Sequence, residues 1–279
     1  MISLINEKVT KYLIIVFLSL YIVLGIVNLF VFNSELSGVG QRWIVSINGK
    51  TGFMNEVNPM TLIMSFAIMI GLIIFASTVK FRLVPEKKRQ TVFELLFEFY
   101  WGIVEDAVPN PKYRKPVFII GVSFFLYVLV SNLLGGMPGI NVSPLSNGKV
   151  SVEMFTDTWY TPTSDLNVNA AYAISVLIIS HVFSAHSKGV WKWFKGFFEP
   201  IIFLLPLNII GEIAKPISHS VRLFGNIMGG GILVLIVSYM LKYFLIPVFL
   251  WGFFGWFVGL IQAFVFSLLA IAYIGSAVE

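Results

Sequence analysis

The sequence predicts an all-α integral membrane protein. About six transmembrane helices are expected, the last two forming a long tilted hairpin, with one amphipathic helix in the membrane interface. Three observations carry this. Only 12% of the 279 residues are charged and 57% are apolar, whereas a soluble domain carries about 25% charged residues. Mean hydropathy is +0.87. Uncharged apolar runs of about 18 residues or more, the length that crosses a hydrocarbon core, recur along the chain. Together these exclude a soluble enzyme, a disordered chain and a disulfide scaffold. With no cysteine, thiolate metal sites, catalytic cysteines and disulfides are excluded too.

The first run, Tyr12–Phe32, follows Lys8 and Lys11. It is longer than the apolar core of a signal peptide and ends without a small-residue cleavage site, so it reads as a retained helix. The second run is Pro59–Val79. Residues 90–106 then form an amphipathic pattern, with Phe93, Phe97, Tyr100, Trp101 and Val104 at helical spacing and Gln90, Glu94 and Glu98 on another face. This helix is too polar to span and follows a basic stretch, which suits an interfacial anchor; a docking surface for partner subunits is the alternative. The third run, Val117–Leu134, is stopped by Gly135, Gly136 and Pro138, and the fourth is Val168–Ala185. The fifth, Ile201–Tyr243, is too long for one straight crossing at about 1.5 Å per residue of a core about 30 Å thick. The sixth, Leu245–Val278, carries no charge and must tilt or project. All 279 residues read as one membrane domain, with 200–278 as the hairpin.

Orientation follows from Lys and Arg in the loops. The segment 80–115 carries eight of them and 186–199 carries three, whereas 135–167 carries only Lys149. The first two segments face the cytoplasm or matrix and the third faces outside, so six helices leave both termini inside. The small net charge of +5 is thus a membrane-orientation signal, and no nucleic-acid partner is expected. No internal repeat, phosphate-cradling loop or nucleophile–base pair occurs. His181 and His186 lie five apart, off the spacing of a helical metal pair. Neither a cofactor nor a metal is expected.

Arg222 is the informative residue. It lies deep in the fifth apolar run, where an arginine costs about 2.5–3.5 kcal/mol on insertion scales and stays protonated. It must face a carboxylate, a polar cavity or the interface. The bland readings are snorkelling or a pair with Glu212, ten residues earlier. Asn226 shares its face at i+4. Gly225 and Gly229, extended by Gly230 and Gly231, leave a smooth surface that suits tight packing within the chain or a moving partner.

Lys215-Pro216 followed by Arg222-Leu223-Phe224-Gly225-Asn226 resembles the signature of the subunit a family of F-type ATP synthases. The last run adds Gln262-Ala263-Phe264-Val265-Phe266 and Tyr273, and Leu205–Asn208 and Pro162–Asn167 are also similar to family segments. The resemblance is strongest over about 160–279 and weak before it. It implies the ion-translocating stator of the membrane motor, facing a ring of c subunits that each carry a mid-membrane carboxylate. Arg222 would separate two aqueous half-channels, with Asn226 and Gln262 beside it. The implied partners are the c-ring, peripheral-stalk b subunits, the remaining synthase subunits and membrane lipid. Such a subunit moves ions and has no nucleotide site of its own. A bacterial plasma membrane is the expected location, with the mitochondrial inner membrane as the alternative.

Further channel-lining candidates are His219, Glu212, Asp165, Asn167, Ser218 and Ser238. Each has a second reading. His219 also reads as a bonded interior histidine, Glu212 as a partner of Lys215, and Asp165 with Asn167 as a helix cap. The sequence departs from the family in two ways. Gly231 and Gly255 stand where many members carry a Glu or His, so a hydrated outer cavity near His219, Asn226, Ser238 and Gln262 is expected in place of a Glu–His relay. Such a path works for protons or sodium. The helix Tyr12–Phe32 is additional to the family's usual five spans. The competing reading is a secondary transporter whose Arg binds an anionic substrate; it calls for an inverted repeat, which the sequence lacks. A purely structural assembly subunit would have no reason to carry Arg222 and Gln262 on consecutive long helices.

Overall fold

The computed structural model describes residues 19, 45–46, 56–78, 88–144, 150–158, 161–199, 202–241 and 246–278. Of the expected first helix, Tyr12–Phe32, only position 19 falls among them. Five helices among the described residues are long and apolar enough to span: Pro59–Thr78, Pro111–Gly135, Leu166–Lys188, Ile202–Met240 and Phe249–Val278.

Two short strands, β1 (Val45–Ser46) and β2 (Glu56–Val57), pair antiparallel and lead into α1 (Pro59–Thr78). Proline opens α1 where its missing N–H costs nothing, and the Asn58 side chain accepts from the Met60 N–H at 3.0 Å. α2 (Lys88–Ala107) is the amphipathic helix. α3 (Pro111–Gly135) starts on the same logic, with Asn110 Oδ1 accepting from Lys112 N at 3.1 Å. The outer segment adds an antiparallel hairpin, β3 (Pro138–Pro144) with β4 (Val150–Thr158), which the sequence reading left unassigned.

After a 3-10 turn at Pro162–Ser164, α4 (Leu166–Lys188) is capped by Asp165, whose carboxylate accepts from Asn167 N at 2.9 Å. Gly189, at φ 84°, turns the chain into α5 (Val190–Gly196); a left-handed residue here favours glycine. α6 (Leu205–Leu241) follows a 3-10 turn at Ile202–Leu204. Asn208 Nδ2 ties its start to the preceding turn by donating to the carbonyls of Phe197 and Glu199, each at 3.0 Å. The last run is α7 (Ile246–Gly252), a π-helical turn at Phe253–Val258 and α8 (Gly259–Val278). With 37 residues, α6 is about 55 Å long against a core about 30 Å thick. It meets the membrane by tilting or by projecting from it.

The core is built around α8. Phe266, Ala270, Ile271 and Ile274 of α8 are buried with Tyr100 and Val104 of α2 and Val117, Phe125 and Val128 of α3. The Tyr100 and Ser267 hydroxyls share a hydrogen bond of 2.6 Å. Burial pushes the Tyr100 phenol up to about 12, against the smaller pull of that hydrogen bond. α2 therefore packs by its Tyr100–Val104 face, while Val92, Leu95 and Phe99 stay exposed as a stripe on another face. Gln90, expected on the polar face, is instead buried and donates to Glu94 at 2.7 Å. α1 is peripheral: it buries Thr61 and Ile68 and joins the bundle where Ser65 meets the Tyr127–Tyr172 hydroxyl pair.

Candidate functional site

The Pro216-containing helix α6 carries Arg222 on its exposed side. Among the described residues the guanidinium has neither an ion pair nor a hydrogen bond. The alternative partner, Glu212, is engaged by Lys215 Nζ at 2.6 Å and by His181 Nε2 at 3.7 Å. Asn226, one turn on, is exposed beside Arg222. A methyl group built on Gly225, Gly229 or Gly231 would meet nothing within 4 Å, whereas one on Gly230 would lie 2.9 Å from Phe254. The glycine run thus divides: Gly230 packs within the chain, Gly225 and Gly229 leave the Arg222 side open, and Gly231 is open on another face.

Behind this surface the polar groups are held by α8. Asn226 Nδ2 donates to Gln262 Oε1 at 2.7 Å, and Gln262 is buried. Arg222 and Asn226 are therefore the outward groups, and Gln262 is the support behind Asn226. His219, three residues before Arg222, is buried against Phe266, with ring centroids 3.9 Å apart, and near Tyr273 at 6.0 Å. Among the described residues no side-chain partner meets either His219 ring nitrogen or Gln262 Nε2; His219 is buried as the interior reading requires. Ser218 is exposed and Ser238 is buried.

Toward the start of α6, Glu212, Lys215 and His181 form a cluster that α5 completes, since Trp193 Nε1 donates to His181 Nδ1 at 3.3 Å. That bond makes Nδ1 the acceptor and leaves the Nε2 proton facing Glu212. Lys215 Nζ also lies 5.7 Å from the Tyr273 ring centroid. At the opposite end of the bundle, Asp165 caps α4 and accepts from Thr61 Oγ1 at 3.3 Å. Beside it the 3-10 turn is buried, and Asn169 Nδ2 donates to the Thr163 carbonyl at 2.8 Å. Thr163 Oγ1 and Asn169 Oδ1 are buried without partners among the described residues. Buried polar atoms that find no protein partner are commonly satisfied by water.

The two departure positions differ. Gly231 borders open space, but a side chain at Gly255 would start 3.0 Å from Gly136 Cα. A buried asparagine missing from the sequence reading, Asn132 of α3, donates to the Gly259 carbonyl at 2.8 Å. Its signal was present, since Ser131-Asn132 is a polar pair inside an apolar run. An apolar groove of about 710 Å³ lies among α1, α2 and α3, away from Arg222. No group of three or more His, Asp or Glu able to hold a metal occurs among the described residues.

An unpaired cation on a spanning helix is costly unless water or an anion meets it. Since Arg222 has no carboxylate partner within the described chain, the arrangement suits an anionic group brought by another molecule.

A family model described as ATP synthase A chain matches residues 59–275. The chain is 34% identical over 222 residues to an ATP synthase subunit a of Moorella thermoacetica, covering 78% of this chain and 90% of the relative. It is 34% identical over 251 residues to a chloroplastic ATP synthase subunit a of Stigeoclonium helveticum, covering 88% and 93%. It is 33% identical over 221 residues to a sodium ion specific ATP synthase subunit a of Propionigenium modestum, covering 78% and 74%.

Proposed function

Because the chain belongs to the ATP synthase A chain family, and is thus an integral subunit of that assembly's membrane sector with other synthase subunits as partners, we propose that it is the ion-translocating stator, with Arg222 dividing two half-channels against a c-ring. The observation that carries this reading is the exposed, unpaired Arg222 beside Asn226, on a side of α6 left open by glycines. A passing ring carboxylate would supply the missing anion. A fixed cation favours the ionised carboxylate and so favours release of the ion it carries. It also repels any cation that would run straight from one side to the other. About 2.3 kcal/mol per charge per 100 mV is available to drive the exchange, so the Arg222–carboxylate attraction must stay weak enough to break at every step.

Asn226 reaches the ring face and Gln262 holds it from behind. On the outer side, Asp165, Asn167, Thr163, Asn169 and Ser238 form the proposed polar entry, with water in place of a Glu–His relay. On the inner side, Ser218, His219, Glu212 and Lys215 lead away from Arg222. Water carries protons and neutral oxygens ligate sodium, so one hydrated route serves either ion; ATP hydrolysis measured against sodium and pH assigns it. Peripheral-stalk b subunits and lipid complete the proposed surroundings of this single membrane domain. A bacterial plasma membrane is the proposed location.

The test is Arg222→Ala in membrane vesicles. Ion-driven ATP synthesis is expected to vanish while the assembled complex stays in the membrane. Near-normal synthesis by an assembled complex would defeat the reading.

A further inference from the structure

The π-helical turn Phe253–Val258 lies directly before the turn of α8 that carries Gln262. In an α-helix each residue advances the face by about 100°, and a π-turn inserts one extra residue and shifts that phase. If the π-turn moved one helical turn along the chain, the extra residue would pass through Gln262 and swing its side chain away from Asn226. Something must hold the phase change outward of Gln262.

The end of α3 does this with two residues on one face. Asn132 and Gly136 are spaced i, i+4 and meet Gly259 and Gly255, which are also i, i+4. Asn132 Nδ2 donates to the Gly259 carbonyl at 2.8 Å, and Asn132 is 4% exposed. Gly136 and Gly255 touch so closely that a Cβ on Gly255 would stand 3.0 Å from Gly136 Cα, and one on Gly136 would run into the Trp256 ring. Gly259 is itself confined, since a Cβ there would lie 3.1 Å from Asn132 Cβ. The missing side chain at Gly255 is therefore part of the seat for the π-turn.

We infer that Asn132 is a positioning residue for the Arg222 site: its bond to the Gly259 carbonyl fixes the register of α8 that brings Gln262 Oε1 to Asn226. This rests on the stator reading above. The Asn132 side chain donates to the Gly259 carbonyl and not to Arg222, Asn226 or Gln262, so it acts through the register that places Gln262.

The test is Asn132→Leu in the assembled complex, which keeps the branched outline of the side chain and removes the donor. Ion-driven ATP synthesis should fall about tenfold, whereas combining it with Gln262→Ala should add less than about twofold, the non-additivity expected of residues acting in one chain of contacts. Amide exchange should quicken at residues 259–263 and stay unchanged at 270–278. Synthesis within about twofold of the parent, losses that multiply, or exchange that changes at both segments or neither would overturn the inference. If Gln262→Ala alone extinguishes synthesis, the exchange pattern decides. If Asn132→Leu does not assemble, Asn132→Ala carries the same expectations. Arg222→Ala runs alongside: synthesis surviving in that variant overturns the stator reading, while its loss together with an inert Asn132→Leu overturns only the role of Asn132.

Discussion

The two long C-terminal helices are alike in composition and opposite in burial. α8 turns Gln262, Ala263, Phe266, Ser267, Ala270, Ile271 and Ile274 inward. α6, over 37 residues, buries only His219, Ser220, Leu223, Gly230 and Ser238 among its described side chains. An apolar run states that a helix lives in the membrane. Which stripe meets protein, lipid or a moving partner is decided by the few polar and small residues within it. On α8 these residues face the bundle; on α6, Arg222, Gly225, Asn226 and Gly229 face away from it. The helix that packs and the helix that works are thus distinct, and substitutions on them should fail in different ways.

Phe266→Ala breaks the contrast most severely if it proves mild. The ring is fully buried between His219 and Phe124, and truncating such a phenylalanine costs about 3–5 kcal/mol. The expected outcome is loss of the subunit from the complex at a markedly lower temperature. Ile232→Ala, at 50% exposure on α6, should shift that temperature little, because substitutions away from packed features stay within about 0.5 kcal/mol. The glycines sharpen the comparison. Gly255→Ala must push α3 and the π-turn apart, and overpacking of this kind costs about 1–3 kcal/mol. Gly231→Glu enters open space and should assemble normally; equal thermal stability of the two variants would remove the distinction between the positions. The smallest effect belongs to Tyr100→Phe, which keeps the ring and leaves Ser267 without its 2.6 Å partner. A loss of about 1 kcal/mol is expected, visible as a small drop in the same release temperature.

Much of this was legible in the sequence because hydrophobic length and capping chemistry are local. Asp165 caps α4 as its position before the fourth run suggested, Glu212 pairs with Lys215, and Asn226 shares the exposed side with Arg222. The third run grew to Pro111–Gly135, since Asn110-Pro111 starts the helix before the uninterrupted apolar stretch begins. What the sequence withheld depends on partners distant along the chain. The burial of Gln90 follows from how α2 lies on its neighbours. The π-turn leaves no mark on apolar periodicity, because every residue in Phe253–Val258 is apolar or glycine. Gly255 read as an absent side chain, and only the approach of Gly136 shows that a side chain there would crowd the neighbouring backbone. The β3–β4 hairpin escaped notice because its segment was weighed only for charge.

During synthesis α6 is complete before α8 exists. At that stage Glu212, Lys215 and Arg222 sit in a segment whose apolar residues each favour insertion by about 0.3–0.6 kcal/mol, while a central charge opposes it by about 2.5–3.5 kcal/mol. His219 and Asn226 then lack the cover that Phe266, Tyr273 and Gln262 later give them. Freed into lipid alone, α6 would expose a ladder of polar groups to hydrocarbon, the kind of surface that membrane quality-control proteases recognise. The nascent chain therefore has reason to keep α6 at the insertion machinery until the 20 residues of α8 arrive, and a ribosome stalled before Gln262 should yield a short-lived product.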